Sequence, residues 1–528
     1  MGAASRWPCK INPYRLEVYL DGYDVTSKNE LLFGVKHGFR IHSSLESRLG
    51  YDYKNHFSAV QFSSLVSQKI DRELSLDRIA GPFHFAPPGL IFSPLASVPK
   101  RGDPGEIRLI HDLSFPKGDS VNQFIPREYC QVVYELVDDC IEIICEIGVG
   151  CMIAKADIMN AFRILPIHPD SYRLFGFQWQ DMYYFDKCVP MGCSESCQIF
   201  EKLSVALQWI VCNKFGTTHM SHILDDFMFF GKPNTNECLL GLNSFLQLAK
   251  SVNIDVKHEK TIFPSTQVEL HGLLVDTKKM EISLPQDKLS KARDLVRDMS
   301  HRKGTTLREL QSLIGYLNFC TKVVAPGRPF LRRLIDLTKG ATRPNHNIRL
   351  NNQARADLHC WDEFLSHFNG VKLIKRVPWT ASNSVKFFSD ASFLACAAIF
   401  GYKWIQIKFP EAWRQVHIAA KELLPIMLGF KLWADELKGV NVIFLVDNLS
   451  IVHVLNSKTS KDPIIMDMIR KMIVTSMCYQ IDFAAKHIMG ARNILPDKIS
   501  RLQEDQALRI APWLHKTPQE VPPEWLPW

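Results

Sequence analysis

His222-Ile223-Leu224-Asp225-Asp226-Phe227-Met228-Phe229-Phe230 sets two adjacent acids between two short apolar runs. Runs of this length, rich in aromatic and branched side chains, predict two strands joined by a tight bend with both carboxylates at its tip. Upstream by 68 residues, Cys151 to Ala156 is another short apolar run, and it ends on Asp157. Neighbouring strands bring their ends together, so Asp157, Asp225 and Asp226 are expected to converge. Carboxylates so placed repel one another and raise each other's pKa unless cations lie between them. Hard oxygen ligands suit Mg²⁺, which binds through one or two carboxylates plus substrate phosphates. Two such ions activate an attacking hydroxyl and stabilise a leaving pyrophosphate oxygen. An Asp-Asp pair alone is more often a solvated turn, so its surroundings decide.

Those surroundings are Ala156-Asp157-Ile158-Met159-Asn160-Ala161-Phe162, then Val189-Pro190-Met191-Gly192 with Ser196 and Phe200 behind it. Lys260-Thr261-Ile262-Phe263 and His271-Gly272-Leu273 follow the paired acids. Before them, Ser97-Val98-Pro99-Lys100-Arg101-Gly102-Asp103-Pro104-Gly105 reads as a strand entering a turn, with Glu106 to Ile110 returning. In this order the stretches resemble motifs A to E of reverse transcriptases, and the hairpin resembles their fingers. The resemblance implies that Asp157 and Asp225 bind both metals, with Asp226 beside them. It implies that Lys100 and Arg108 hold the triphosphate of the incoming nucleotide, cations suiting phosphate oxygens. Phe162 would block a ribose 2′-hydroxyl, and Gly192 would let backbone approach template and primer. Lys260 would donate a proton to pyrophosphate, or is a surface lysine. Ile223, Met191 and Cys197 depart from the residues common in the family.

A second set of acids lies downstream. Asp390 ends the run Phe388-Ser389-Asp390; Glu422 follows after 32 residues in a helical stretch, Asp447 after 25 more and Asp497 after another 50. Four acids on separate elements suit two metals that hydrolyse a phosphodiester with water. The order Asp, Glu, Asp, Asp resembles ribonuclease H, with His487 to Arg501 resembling the retroelement ending; Pro496 and Ile499 depart from it. His487 would assist product release or is structural. Ala80-Gly81-Pro82-Phe83, the Leu-Asp-Asp-Phe motif, Pro326 to Leu331 and Ser500-Arg501 resemble DIRS-type retroelements most, with gypsy-like elements next.

The expected architecture is therefore an α+β right-hand polymerase (fingers, palm, thumb) followed by an α/β RNase H-like domain. The boundaries read as an N-terminal extension 1–80, fingers and palm 81–284, a helical thumb 285–345 and a connection or linker 346–383. The RNase H-like domain follows at 384–503, then a Pro/Trp-rich tail 504–528 expected to be poorly ordered. Helical spacing puts Phe200, Leu203, Leu207 and Ile210 on one buried face, and Leu289, Ala292, Val296 and Met299 on another. Thr306 with Glu309 forms a capping box, and Arg328, Arg332 and Arg333 would track phosphates or form a solvated face.

The 528 residues are 46% apolar, which excludes wholesale disorder. The net charge of +8 fits a polyanionic partner without requiring one. The 14 cysteines follow no disulfide framework and read as reduced thiols of an intracellular protein, cytoplasmic or nuclear. Cys188, Cys193 and Cys197 match no common zinc spacing. Expected partners are an RNA template, a DNA primer, their hybrid and dNTPs, with no membrane and with a recombinase encoded elsewhere in the element. The expected cofactor is Mg²⁺, two ions per site, with Mn²⁺ as substitute. Two rivals remain at this stage: a decayed or domesticated copy that only binds nucleic acid, and a DNA-templated polymerase with the same palm.

Overall fold

The computed structural model describes residues 7–46, 54–100, 103–367, 372–373, 379–381, 384–479, 481–488 and 493–528. Arg101 and Gly102 of the expected hairpin turn and Met489 to Arg492 of the last acidic motif lie outside the described residues. The chain divides into two compact units, Met1–His271 with Val275–Met280, and Gly272–Leu274 with Glu281–Trp528.

The first unit begins with helices α1 (Pro13–Tyr19), α2 (Val25–His37) and α3 (Ser63–Ser75), followed by strands β1 (Ile79–Phe83), β2 (Leu95–Lys100) and β3 (Asp103–His111). Helix α4 (Val137–Ile147) leads into β4 (Met152–Asp157), and β5 (Gly176–Trp179) and β6 (Met182–Asp186) form a hairpin. Then come α5 (Ser196–Phe215), β7 (Met220–Ile223), β8 (Asp226–Gly231), α6 (Glu237–Ser251) and β9 (Ile262–Ser265). The central sheet has the order β7-β8-β4-β9. Its apolar runs are buried, with Ile153, Ala154, Ala156, Phe227, Met228 and Phe229 all at 0% exposure. Phe200, Leu203, Leu207 and Ile210 of α5 are equally buried, as the helical spacing predicts. From α6, Phe245 meets Phe227 and Phe229 with ring centroids 4.5 and 5.6 Å apart.

The N-terminal residues belong to this core. Asn12 caps α1 by accepting from the backbone N–H groups of Tyr14 and Arg15, and its own N–H donates to the Val252 carbonyl at 2.9 Å. Leu16, Leu20, Leu31 and Val35 are buried in the same cluster as Leu203 and Leu207.

The second unit opens with α7 (Gln286–His301) and α8 (Leu307–Cys320), then α9 (Arg332–Leu337) and α10 (Asn352–His367). Leu289, Ala292, Val296 and Met299 are buried along α7. The Thr306–Glu309 capping box is present at the start of α8, and its hydrogen bonds pull the Glu309 carboxyl down to about 2.

Three expectations are corrected here. Residues 352–367, read as part of a linker, form a helix because Leu358, Trp361, Phe364 and Leu365 supply a buried stripe that its polar Asn-rich start conceals. Arg332 and Arg333 do not line a free basic face: Arg332 pairs with Asp336 at 3.2 Å, and Arg333 with the buried Asp357 at 3.4 Å. Asp357 also meets Arg470 at 3.2 Å. The third is the tail, described below.

The rest of this unit is built from the meander β10 (Phe387–Ala391), β11 (Ala395–Phe400) and β12 (Lys403–Lys408), helix α11 (Ile418–Leu432) and strand β13 (Asn441–Val446). Helices α12 (Leu449–Ser457) and α13 (Pro463–Tyr479), strand β14 (Asp482–His487) and helices α14 (Ile494–Ser500) and α15 (Glu504–Ile510) complete it. Strands β13 and β14 run parallel, with Trp379–Ala381 on the other side of β13. The tail packs onto this unit instead of fraying. Gln519 donates its N–H to the Trp404 carbonyl at 2.7 Å and accepts from the Trp433 indole at 3.0 Å. The Trp528 ring lies 5.0 Å from that of Trp413, and Lys431 sits 4.0 Å over the Trp525 ring. Large aromatic surfaces supply the burial that the Pro-rich composition disguises.

Among the described residues, no helix is long and apolar enough to cross a membrane.

Candidate active sites

Strand pairing assembles the first site. Asp157, the last residue of β4, stands opposite Asp226, the first of β8, in the antiparallel register. Asp225 occupies the bend before it, where Leu224 turns the chain with φ +52°. The hairpin tip thus places all three carboxylates at one end of the sheet. Burial, then the neighbouring Asp157, pushes the Asp225 carboxyl up to about 6. Burial also raises Asp226, against the pull of Lys155.

Lysines answer this charge. Lys257 Nζ lies 2.5 Å from Asp157 Oδ1 and 3.8 Å from Asp225 Oδ2, and Lys260 Nζ lies 3.3 Å from Asp157 Oδ2. Lys155 Nζ is 2.6 Å from Asp226 Oδ2. Sequence reasoning found Lys260 but missed the other two. Lys155 precedes Asp157 by the strand period of two, which puts both side chains on one face; that was the signal available for it. The backbone N–H of Lys257 donates to the Asp157 carbonyl at 2.8 Å, a contact between residues 100 apart that no local pattern announces.

The remaining expected residues of this unit sit around the site's supports. Phe162 packs edge-on against Phe200 with centroids 5.5 Å apart. Lys100 ends β2 and pairs with Glu106 at 2.9 Å, while Arg108 is exposed opposite Val98. Gly192 has φ +124°, and an added Cβ would lie 2.1 Å from the His111 carbonyl oxygen. The end of β3 is therefore one close approach that requires glycine here.

The second site forms in the other unit. Asp390 on β10, Glu422 on α11 and Asp447, immediately after β13, line one cleft with Asn493 and Ile488. Burial, then Asp447, pushes Glu422 up to about 7. Burial also raises Asp390 despite the Ser500 hydroxyl, which donates to Asp390 Oδ2 at 2.7 Å. Asp497 on α14 is close enough to raise Asp390 further, yet its own Oδ1 is held by Arg501 Nε at 2.7 Å and it does not line the cleft. His487 Nε2 donates to the Asp447 carbonyl at 3.2 Å, which anchors the strand end. Sequence reasoning did not give Asn493 a role; its Nδ2 donates to the Ser389 carbonyl at 2.6 Å.

Both sites suit a hard divalent cation. Asp226 Oδ1 and Glu422 Oε2 are buried without a hydrogen-bond partner, and the raised carboxyls mark places where added positive charge is stabilised. Among the described residues no group of three or more His, Cys, Asp or Glu side chains forms a ready-made cation cage. Mg²⁺ takes one or two carboxylates and fills the rest of its shell from water and substrate phosphate.

No protein-family model matches the chain. The Gag-Pro-Pol polyprotein of Mason-Pfizer monkey virus is 24% identical over 229 residues, 40% of this chain and 12% of that polyprotein. The genome polyprotein of Petunia vein clearing virus (isolate Shepherd) is 21% identical over 374 residues, 68% of this chain and 16% of that one. The chain thus spans less than a fifth of the length of these relatives. A solved foamy viral protease-reverse transcriptase (the dRH form) in complex with double-stranded DNA superposes with a TM-score of 0.50 at 15% identity, over 92% of this chain and 84% of that one. The fold is a right-hand polymerase followed by an RNase H-like domain. The first unit carries the Asp157–Asp225–Asp226 site, and the second carries the cleft of Asp390, Glu422 and Asp447.

Proposed function

We propose that the chain is the RNA-directed DNA polymerase of a retroelement and that its second unit cleaves the RNA strand of RNA/DNA hybrids. One observation carries this reading: each unit brings acids from separate elements together, with a buried, partnerless carboxyl oxygen in each. Similarity to two viral polyproteins supports it.

In the polymerase site Asp157, Asp225 and Asp226 would hold the divalent cations, Mg²⁺ with Mn²⁺ as substitute. When bound, those ions activate the primer 3′-hydroxyl and neutralise the departing pyrophosphate. Lys100 and Arg108 bind the triphosphate oxygens of a dNTP. Phe162, fixed edge-on by Phe200, closes the space a ribose 2′-hydroxyl would need. Lys260, more than half exposed and within 3.3 Å of Asp157, hands a proton to pyrophosphate.

In the RNase H-like cleft Asp390, Glu422 and Asp447, with Asp497 at its margin, would hold the cations for attack by water. Ser500 orients Asp390, and His487 keeps the Asp447 backbone in place. Template RNA, DNA primer and their hybrid are held through backbone charge and shape, with little sequence preference. The motifs are most like those of DIRS-type elements, with gypsy-like elements next, and a recombinase would be encoded elsewhere in the element.

The test is dNTP incorporation on poly(rA)/oligo(dT) with Mg²⁺, wild type beside Asp225→Asn. Incorporation by the wild type alone is expected. A folded wild type that binds the hybrid and incorporates nothing would make the chain a binding protein instead.

A further inference from the structure

A buried ion network lies in the first unit, and none of its members belongs to the carboxylate site. Arg163 is its centre. Its Nη2 lies 2.8 Å from Glu73 Oε2 on α3, and its Nη1 lies 2.7 Å from Asp186 Oδ1 at the end of β6. The same Nη1 donates to the Cys188 carbonyl at 3.0 Å. Asp186 Oδ2 takes His111 Nδ1 at 3.1 Å, and Arg78 stands 3.6 Å from Glu73. The side chains of Arg163, Asp186, His111 and Glu73 are 13%, 7%, 4% and 12% exposed. Charges this deep are tolerated only where each is met by partners, and here the two forks of the guanidinium meet two carboxylates.

What the network joins is the reason to give it a role. Arg163 follows Phe162 directly, in a turn where Asn160 and Ala161 both have positive φ, at 62° and 30°. A non-glycine backbone in that region is strained and persists only where its surroundings hold it. Arg163 provides that hold, its backbone N–H donating to the Asn160 carbonyl at 2.8 Å while its side chain is anchored to α3, to the end of β6 and to the Cys188 carbonyl just beyond it. His111 ends β3, the strand that carries Arg108. Its N–H donates to the Met191 carbonyl, and its own carbonyl is the atom that excludes a Cβ at Gly192. One cluster therefore ties the turn of Phe162, the hairpin of Lys100 and Arg108, and the Met191–Gly192 turn.

We propose that Arg163, Asp186, His111 and Glu73 are positioning residues for the incoming nucleotide, setting the sugar gate and the triphosphate hairpin in one register. The proposal rests on the polymerase reading above. The network's ion pairs do not include Asp157, Asp225 or Asp226, so loosening it would shift where the dNTP sits and leave the metal ligands in place. The consequence is a change in KM and in sugar selection larger than the change in kcat.

The experiment is steady-state incorporation on poly(rA)/oligo(dT) by wild type, Arg163→Lys, Glu73→Gln and Arg163→Met, with dTTP and with UTP. RNase H cleavage by the same preparations and thermal unfolding serve as controls. Arg163→Lys keeps the charge but loses the fork, and Glu73→Gln leaves the Arg163–Asp186–His111 chain intact. For both, the expected result is a dTTP KM raised on the order of tenfold, kcat within about threefold, and a lower dTTP/UTP preference. Arg163→Met should show larger effects; if it fails to fold, the two milder variants decide. An unchanged KM and sugar preference in both mild variants, or kcat falling with KM constant, overturns the proposal. A wild type without incorporation instead overturns the polymerase reading on which it rests.

Discussion

Replacing Asp225 by Asn should stabilise the protein while it removes synthesis, and the two effects have one cause. Burial and the facing Asp157 raise the Asp225 carboxyl from 3.8 to about 6. A carboxyl raised on folding keeps its proton to higher pH than the unfolded chain does. The folded state therefore loses stability as pH climbs from about 4 to about 6, and the loss is complete above that window. At roughly 1.36 kcal/mol per pH unit the shift is worth about 3 kcal/mol at most, and because the side chain is 33% exposed solvent screening cuts this to about 1–2 kcal/mol. Asn is nearly isosteric and carries no charge, so at pH 7.5 in EDTA the variant should unfold about 1–2 kcal/mol later than wild type. At pH 4 the two should coincide. Adding Mg²⁺ should raise the wild type alone, because only its folded state gains a ligand. The assay is urea unfolding followed by hydrogen exchange at β4 and β8, which isolates the polymerase unit from the other. If Asp225→Asn is the less stable protein at pH 7.5 in EDTA, or if Mg²⁺ stabilises both equally, the carboxylates are not held apart from their preferred charge state and the argument fails.

Other perturbations separate the two sites and test the supports. Asp447→Asn should eliminate hybrid cleavage and leave incorporation at the wild-type rate, as read on a labelled RNA/DNA duplex. Gly192→Ala puts a Cβ 2.1 Å from the His111 carbonyl oxygen at φ +124°; the expected cost is on the order of 3 kcal/mol with loss of synthesis, and retained synthesis would show that the turn can move. Trp528→Ala, which removes the ring packed against Trp413 and Phe409, should lower the stability of the RNase H-like unit by about 1 kcal/mol. Unchanged unfolding of that unit would mean that the tail is not bound in solution.

What could be read from the sequence was what local order encodes. The run from Ile223 to Phe230 announced its strands and its bend because each strand is one apolar stretch, and two adjacent acids between apolar stretches mark the bend. The α5 face of Phe200, Leu203, Leu207 and Ile210 was equally plain, since helical period and burial coincide. Arg333 was not: a cation on a helix reads as solvent-facing, and its partner Asp357 comes 24 residues later in a stretch whose Asn content signals a loop. The second arginine on Asp357, Arg470, is 113 residues away from it. The tail failed for the opposite reason. Proline suppresses regular elements, but the Trp525 and Trp528 rings need only a surface, and Lys431 and Trp413 provide one. Gly192 was chosen for a sound reason, the need for close backbone approach, while one atom that demands it lies on β3, beyond the reach of any motif.

The buried acids differ in how their charge is answered, and Asp357, raised to about 6 by burial although Arg470 and Arg333 face it, shows that a raised carboxyl alone does not mark a site. Asp186 is deeply buried, yet its two oxygens meet Arg163 and His111, and these partners overcome burial and hold its carboxyl below the ordinary value. It is an acid whose charge is already answered. Asp225, Asp226, Asp390 and Glu422 are the reverse case: burial wins and each is raised. Three carboxyl oxygens among the described residues are buried without a partner. One, Glu201 Oε2, belongs to a carboxylate whose other oxygen meets His222 at 3.2 Å, just as the other oxygen of Asp226 meets Lys155 at 2.6 Å. The other two are Asp226 Oδ1 and Glu422 Oε2, one in each candidate site. A fold that answers the charge of Asp186 so fully has the means to answer these as well. At the first site Lys155 and Lys257 offset the burial of Asp226 and Asp225 only in part, so a state that brought a cation and a phosphate there would lower their free energy further. Such partial compensation at both sites is compatible with the two-metal chemistry proposed above.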